Sequence, residues 1–353
     1  MELELKLRQV CERIGPLDEA AMAEAAARLD SLTKPPGSLG RLEEIAVRIA
    51  GIKGEAMPVA GRKAVVVMAG DHGVTAEGVS AYPAEVTPQM VMNFLAGGAA
   101  VNVLARQAGA DVYCADLGVN AELAHPRLLD YKVRKGTANM CRGPAMDRED
   151  AVRSVLAGVE IASMLIKHEG YDLLATGDMG IGNTTPSAAL CAVFSAAAVE
   201  DSVGRGTGVD DERLRSKTAA VRRAIDVNLP DPSDPIDALA KVGGLEIGGL
   251  AGLMLGAAAL RRPVLVDGFI STAAALVAAR LCPGAVDYMI ASHLSHERAH
   301  GALLEAVGLR PAIHLDMRLG EGTGAVLGFH FVEAALRVMH EMATFESAGV
   351  SKE

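Results

Sequence analysis

The segment Arg318-Leu319-Gly320-Glu321-Gly322-Thr323-Gly324 sets one carboxylate among three glycines. Glycine tolerates positive φ and lets a backbone approach a ligand closely. A lone acid on such a loop, after a possible strand at Ala312–Leu315, is better suited to meeting a substrate than to packing. The plainer alternative is a turn that shows a glutamate to water. A second segment, Gly177–Thr185, is rich in glycine and threonine. Successive backbone N–H groups at a helix N-terminus bind anions, so this segment suits a single phosphate. It has no Gly-Lys-Ser/Thr as in a Walker A loop and no G-x-G-x-x-G. A tight turn with a Thr N-cap would share its composition. A third glycine-rich loop, Gly204-Arg205-Gly206-Thr207-Gly208, precedes a helical stretch that carries Lys217. That lysine would complement a phosphate; on local pattern alone it reads as an ordinary solvated side chain.

Two other arrangements resemble chemistry. His296-Glu297-Arg298-Ala299-His300 matches HExxH, in which two histidines at i and i+4 hold zinc. It follows a predicted parallel strand directly, and no third ligand stands at the spacing of the extended motif. A zinc hydrolase therefore stays open as the weaker alternative. Asp71-His72 has acid–base residue types, but adjacent residues rarely face one site, which favours a loop-stabilising Asp71. Ser80, Tyr82 and Gln89 follow as candidates to line a pocket.

These residues need a frame. Short apolar strand candidates at Ala64–Ala69, Asp111–Leu117, Tyr171–Thr176, Pro263–Asp267 and Val286–Ala291 alternate with helical patterns. The helices include Pro88–Gln107, Asp150–His168, Pro186–Val199, Asp211–Asn228, Leu245–Leu260 and Ser271–Leu281. The alternation predicts an α/β fold with a doubly wound, mostly parallel sheet. Ligands bind outside the carboxyl ends of strands in such sheets. Here those ends run into Gly70-Asp71-His72-Gly73, Gly118, Gly177-Asp178, Gly268 and Ser292-His293, a clustering of glycines, acids and hydroxyls that marks an active site. The expected division is a large α/β domain over 58–324 and a small helical domain from 1–57 plus 325–353.

Composition narrows the class. The chain has 353 residues, half of them apolar, enough for a substantial core. Only 3% are aromatic and none is Trp, which leaves few platforms for stacking bases. A net charge of −10 opposes non-specific binding to nucleic acid or acidic membrane. The N-terminus lacks the basic-then-apolar order of a signal peptide. The longest uncharged apolar run, Ile247–Leu260, has 14 residues, too few to span a bilayer. Five scattered cysteines without a CxxC fit free thiols in a reducing cytoplasm.

Several segments together resemble the nicotinate-nucleotide–dimethylbenzimidazole phosphoribosyltransferase family of cobalamin biosynthesis. They are Leu32–Leu42 (LTKPPGSLGRL), Ala69–Val74 (AGDHGV), Gly78–Pro83 (GVSAYP), Val86–Gln89, Gly180–Thr185 (GIGNTT), Gly204–Gly208, Val266–Phe269 (VDGF) and Arg318–Gly324. They run in order over nearly the whole chain. The resemblance implies transfer of the phosphoribosyl group of nicotinate mononucleotide to 5,6-dimethylbenzimidazole, giving α-ribazole 5′-phosphate and nicotinate. It implies a homodimer. No pyrophosphate leaves in this reaction, so magnesium is not demanded, and no cofactor or metal is expected. The resemblance also implies Glu321 as catalytic base with Asp178 as a second acid, where relatives carry a glutamate. Gly180, Lys217 and Ser295 would hold the phosphate, and Ser80, Gln89 and Leu319 the benzimidazole. The family pattern Ser-x-Glu-x-Gly-His reads Ser295-His-Glu-Arg-Ala-His300 here, which makes the HExxH match coincidental. A non-catalytic nucleotide- or benzimidazole-binding protein on the same fold is the remaining alternative.

Overall fold

A computed structural model describes residues 2–195, 198–204, 206 and 210–351. Three helices open the chain: α1 (Glu2–Glu12), α2 (Glu19–Asp30) and α3 (Arg41–Lys53). Then come β1 (Arg62–Gly70), α4 (Val86–Ala96), α5 (Ala100–Ala108), β2 (Asp111–Gly118), β3 (Leu128–Asp130) and α6 (Arg148–Lys167). The middle of the chain holds β4 (Tyr171–Met179), α7 (Thr184–Ser195), α8 (Val199–Ser202), α9 (Asp211–Asn228), α10 (Pro235–Val242) and α11 (Leu245–Ala259). The last part contains β5 (Val264–Val266), α12 (Phe269–Leu281), β6 (Met289–Ala291), β7 (His293–Leu294), α13 (His300–Val307), β8 (Ile313–His314), α14 (Thr323–Glu341) and α15 (Phe345–Ala348).

Six strands form one sheet in the order β3-β2-β1-β4-β5-β6, every pair parallel. The doubly wound parallel sheet expected from the sequence is therefore present. Its strands are buried on both faces, as β1 illustrates. Side chains alternate across a strand. Ala64, Val66 and Met68 enter a core with α6, α7, α11 and α12. Val65, Val67 and Ala69 enter a second core with α3, α4, α5 and α14. Small residues allow unusually close helix contact in the first core. A side chain at Gly158 of α6 would place Cβ 1.9 Å from the Gly249 carbonyl oxygen of α11. At Gly252 of α11 it would lie 1.8 Å from the Val155 carbonyl oxygen of α6. The Ala- and Gly-rich composition noted above is thus used to bring α6 and α11 backbone to backbone.

The chain ends pack on this frame. Helix α14 contacts α3, α5 and strands β4 and β5; α2 contacts α3 and α14, and α1 lies on α6 and α11. Leu32 and Thr344 pair as an antiparallel bridge.

Some expected boundaries change. The helix expected over Pro88–Gln107 is two helices, because Gly97 adopts φ 82° and ends α4. The strand expected over Val286–Ala291 keeps only Met289–Ala291, since Pro283–Tyr288 form a 3-10 helix with proline at its first turn. The strand expected before the Glu321 loop shrinks to Ile313–His314, paired with His293–Leu294. Among the described residues no helix is long and apolar enough to cross a membrane.

Candidate active site

Strand order reverses between β1 and β4: the chain winds from β1 toward β3 on one side and from β4 toward β6 on the other. Their carboxyl ends meet at the switch point where open α/β sheets form a crevice. Strand β1 delivers Asp71 and His72, β4 ends with Asp178 and Met179, and β5 is followed by Asp267.

Glu321 hangs over this crevice. Gly320, Glu321 and Gly322 are consecutive left-handed residues, at φ 81°, 63° and 93°. That conformation costs a non-glycine residue about 1–3 kcal/mol and persists where surroundings enforce it. Two contacts enforce it here. Asp267 takes N–H bonds from Gly322 (3.0 Å) and Ala325 (2.8 Å), which caps α14 and fixes the loop's exit. Gly177 lets β4 pass beneath, since a Cβ there would sit 2.5 Å from the Glu321 carbonyl oxygen. We expect Gly177→Ala to cost about 1–3 kcal/mol by overpacking and to displace Glu321. A lower Tm together with reduced turnover would show this, and an unchanged Tm would contradict it.

Glu321 is 8% exposed, and its Oε2 has no hydrogen-bond partner. Burial raises its pKa; the Val101 N–H in the first turn of α5 opposes that, and the Asp267 charge adds to it. A carboxylate held this way is a better base near neutral pH than an exposed glutamate. Asp178 is buried beside it. The Asn183 side-chain amide donates to Asp178 Oδ2 at 2.9 Å, while Oδ1 has no partner. Burial, then the neighbouring Asp267 charge, pushes the Asp178 pKa well above its ordinary value, and Asn183 opposes this. The protonated form of Asp178 is therefore favoured more than in an exposed aspartate. A cationic ring brought against it would favour its ionised form.

Beneath these acids lies a pair that no local pattern announces. His72 Nε2 is 2.8 Å from Glu246 Oε1, with both side chains enclosed. Burial is the largest single influence and would lower the His72 pKa, but the Glu246 charge, the hydrogen bond to Glu246 and the Asp71 charge together outweigh it, and the net shift is upward. The pair fits because glycines surround it: a Cβ at Gly180 would stand 3.1 Å from His72 Nε2, and one at Gly70 would stand 2.9 Å from Glu246 Oε2. Asp71 does what its position suggested and braces a loop, accepting the Asn120 N–H at 2.8 Å.

Gly180 begins the turn into α7. The Ile181 N–H donates to Thr87 Oγ1 at 3.1 Å, and Gly182 adopts φ 88°. Lys217, from α9, reaches the start of the same helix. Its Nζ donates to Thr184 Oγ1 at 2.8 Å and to the Gly204 carbonyl at 2.9 Å. An ammonium has three donors, so one is left for an anion at the α7 N-terminus. Lys217 is 1% exposed, and burial lowers its pKa to about 8, with Glu297 opposing. Gly204 and Gly206 flank this lysine; Arg205, Thr207 and Gly208 of that loop lie outside the described residues.

Ser295 joins from the β7 side. Its N–H donates to His300 Nδ1 at 2.8 Å, its Oγ donates to the Met317 carbonyl at 3.1 Å, and it accepts the Glu297 N–H at 3.3 Å. Glu297 in turn packs where a Cβ on Gly204 would lie. Gly180, Lys217 and Ser295 are thus linked through Thr184, Gly204 and Glu297.

This arrangement removes the zinc reading. His300 Nδ1 accepts from Ser295, so its Nε2 carries the hydrogen, which Thr272 Oγ1 receives at 2.9 Å. Burial, helped by nearby His293, lowers the His300 pKa to about 3, so the ring is neutral and fully engaged. His296 lies before α13 with a side chain 64% exposed, facing Asp316. The two histidines do not share a helical face. Among the described residues no cluster of His, Cys, Asp or Glu is arranged to hold a metal.

Two cavities meet here. One of about 610 Å³ is lined by Tyr82, Val86, Met90, Asp178, Met179, Gly180, Ile181, Asn183, Arg318, Leu319 and Glu321. The other, about 460 Å³, is lined by Val203, Gly204, Gly206, Leu214, His296, Glu297, Arg298 and Arg318. Arg318 belongs to both walls. Leu319 lines the first, 55% exposed. Ser80 and Gln89 do not line it: Ser80 Oγ accepts the Tyr82 N–H at 3.2 Å, and Gln89 is exposed on α4.

A phosphoribosyltransferase family model, DBI_PRT, matches residues 14–350. The chain belongs to the nicotinate-nucleotide–dimethylbenzimidazole phosphoribosyltransferase family. It is 56% identical to the member from Chloroflexus aggregans, over 98% of each chain, and 54% identical to that of Geobacter sulfurreducens, again over 98% of each. The crystal structure of the Thermus thermophilus enzyme superposes with a TM-score of 0.90 at 51% identity. That match covers 96% of this chain and all of the other. The resemblance seen in the motifs thus extends over almost the whole chain.

Proposed function

We propose that this protein transfers the 5-phosphoribosyl group of nicotinate mononucleotide to 5,6-dimethylbenzimidazole, giving α-ribazole 5′-phosphate and nicotinate in cobalamin biosynthesis. Family membership supports the reaction. The observation that carries its assignment to this site is Glu321, a buried carboxyl with one unpartnered oxygen in the wall of the 610 Å³ cavity.

The chemistry needs one base. The leaving nitrogen of the nucleotide is a pyridinium and departs neutral, so no general acid is required. The incoming benzimidazole loses its N–H proton as its other nitrogen attacks C1′. Glu321 takes that proton, and its raised pKa suits the task. Val86, Met90, Ile181 and Leu319 give the aromatic acceptor an apolar seat beside the base. The free donor of Lys217 and the start of α7, with Gly180 and Ser295 close by, receive the phosphate and fix C1′ between acceptor and leaving ring. Asp178 stands where the ribose ring becomes oxocarbenium-like. The pyridinium charge favours the carboxylate form of Asp178, which stabilises positive charge at C1′. Attack opposite to the leaving group converts a β-linkage to α.

The family resemblance also carries a homodimer, and the cysteine pattern suggests a cytoplasmic location. Five cysteines without disulfides are in keeping with the latter.

The test is a product assay of purified protein with nicotinate mononucleotide and 5,6-dimethylbenzimidazole, with and without a chelator. We expect α-ribazole phosphate at equal rates in both. Absence of product would sink the assignment, and chelator-sensitive formation would sink the metal-free mechanism.

A further inference from the structure

Arg318 is the unexplained cation of the cleft. It lines both cavities and has no hydrogen bond or ion pair among the described residues. The other cations are committed. Arg298 pairs with Asp201 at 3.2 Å, Lys217 serves Thr184 and Gly204, and His296 faces Asp316. Meanwhile Glu297 and Glu321 line these walls with carboxyl groups, which offer a substrate carboxylate no cationic partner. Yet the substrate proposed above carries a carboxylate on its leaving ring.

We propose that Arg318 binds the carboxylate of the nicotinate ring and so sets the preference for the acid nucleotide over its amide. This rests on the reaction assigned above. Acceptor and leaving ring must flank C1′ on opposite sides. With the acceptor against Glu321, the leaving ring lies across the divide, and Arg318 forms part of that divide. A guanidinium presents two parallel N–H donors that match a carboxylate and fit a carboxamide poorly. The contact also strengthens as the bond breaks. Bound as a pyridinium, the ring is a zwitterion; once C1′–N cleaves, it is a net anion. An arginine at the carboxylate therefore binds the departing ring more tightly than the substrate ring, which raises kcat as well as affinity. The amide analogue leaves as a neutral ring and gains nothing from this.

The experiment compares kcat/KM for nicotinate mononucleotide and nicotinamide mononucleotide, with 5,6-dimethylbenzimidazole as acceptor, in the wild type, Arg318→Gln and Arg318→Lys. Losing a charge-assisted bond should lower the acid value about 10- to 100-fold, mostly in kcat, while the amide value moves much less. Arg318→Lys should recover part of the acid activity, because it keeps the charge without the fork. An acid-to-amide ratio within about threefold of wild type in Arg318→Gln would overturn the proposal. So would an equal fall for both nucleotides. Arg318 is exposed, so folding is not at stake. If the wild type makes no product, the reaction itself is misassigned. Equilibrium binding of free nicotinate and nicotinamide to wild type and Arg318→Gln then decides on Arg318 separately: loss of nicotinate binding alone supports it, and unchanged binding overturns it.

Discussion

Glu321→Gln should lower turnover by about 10²-fold or more while leaving substrate binding nearly intact. Glutamine keeps the shape and the position on the strained loop but cannot accept the benzimidazole proton. The effect belongs in kcat, because proton transfer occurs only on the way to the transition state. A loss confined to KM would instead make Glu321 a binding residue. The pH profile adds a second reading. A base whose pKa is raised is protonated, and inactive, over a wider acidic range. Activity should therefore rise with pH through a limb that lies above the ordinary glutamate range, and Glu321→Gln should lack this limb.

Lys217→Met should raise the KM for the nucleotide about 10- to 100-fold with a smaller change in kcat, as expected for one lost charge-assisted bond to phosphate. Methionine is chosen because the lysine stem is buried and an alanine would leave a void. The sign of the pH effect follows from burial. A lysine whose pKa is lowered to about 8 carries its charge below that pH and loses it above. The kcat/KM for the nucleotide should fall as pH rises through about 8, and the variant should lack that limb. A bound phosphate favours the charged form, so the same limb in kcat should lie at higher pH. Wild-type kcat/KM that stays flat from neutral pH to about 9 would remove Lys217 from phosphate binding.

Much of the frame was legible in the sequence because parallel strands are short apolar runs punctuated by glycine. Strand β1, with six successive apolar residues before Gly70, is the plainest case. Glu321 was legible for a related reason: an acid between glycines has little to do in a core. The residues that place it were not. Asp267 caps α14 across 55 positions, and His72 finds Glu246 across 174, so neither contact leaves a local period. The one available signal for Glu246 was its isolation, a single charge at the head of the apolar stretch that becomes α11. Lys217 misleads in the other direction. Helix α9 is dense in Arg, Asp and Glu, so local pattern reads the lysine as solvated, and only the resemblance gave it a role. Its burial arises from Gly204 and Gly206, a separate loop that folds against it. The resemblance puts Ser80 and Gln89 at the benzimidazole; the 610 Å³ cavity beside Glu321 is lined by Val86, Met90 and Ile181 and not by these two.

The most direct measurement is the anomeric configuration of the ribazole phosphate formed by the metal-free protein, read by NMR. A single displacement assisted by Glu321 predicts the α-anomer, inverted from the β-linked nucleotide. A β-linked product would mean that the acceptor does not attack C1′ opposite to the leaving ring. That would contradict the single in-line displacement and the placing of acceptor and leaving ring on opposite sides of C1′.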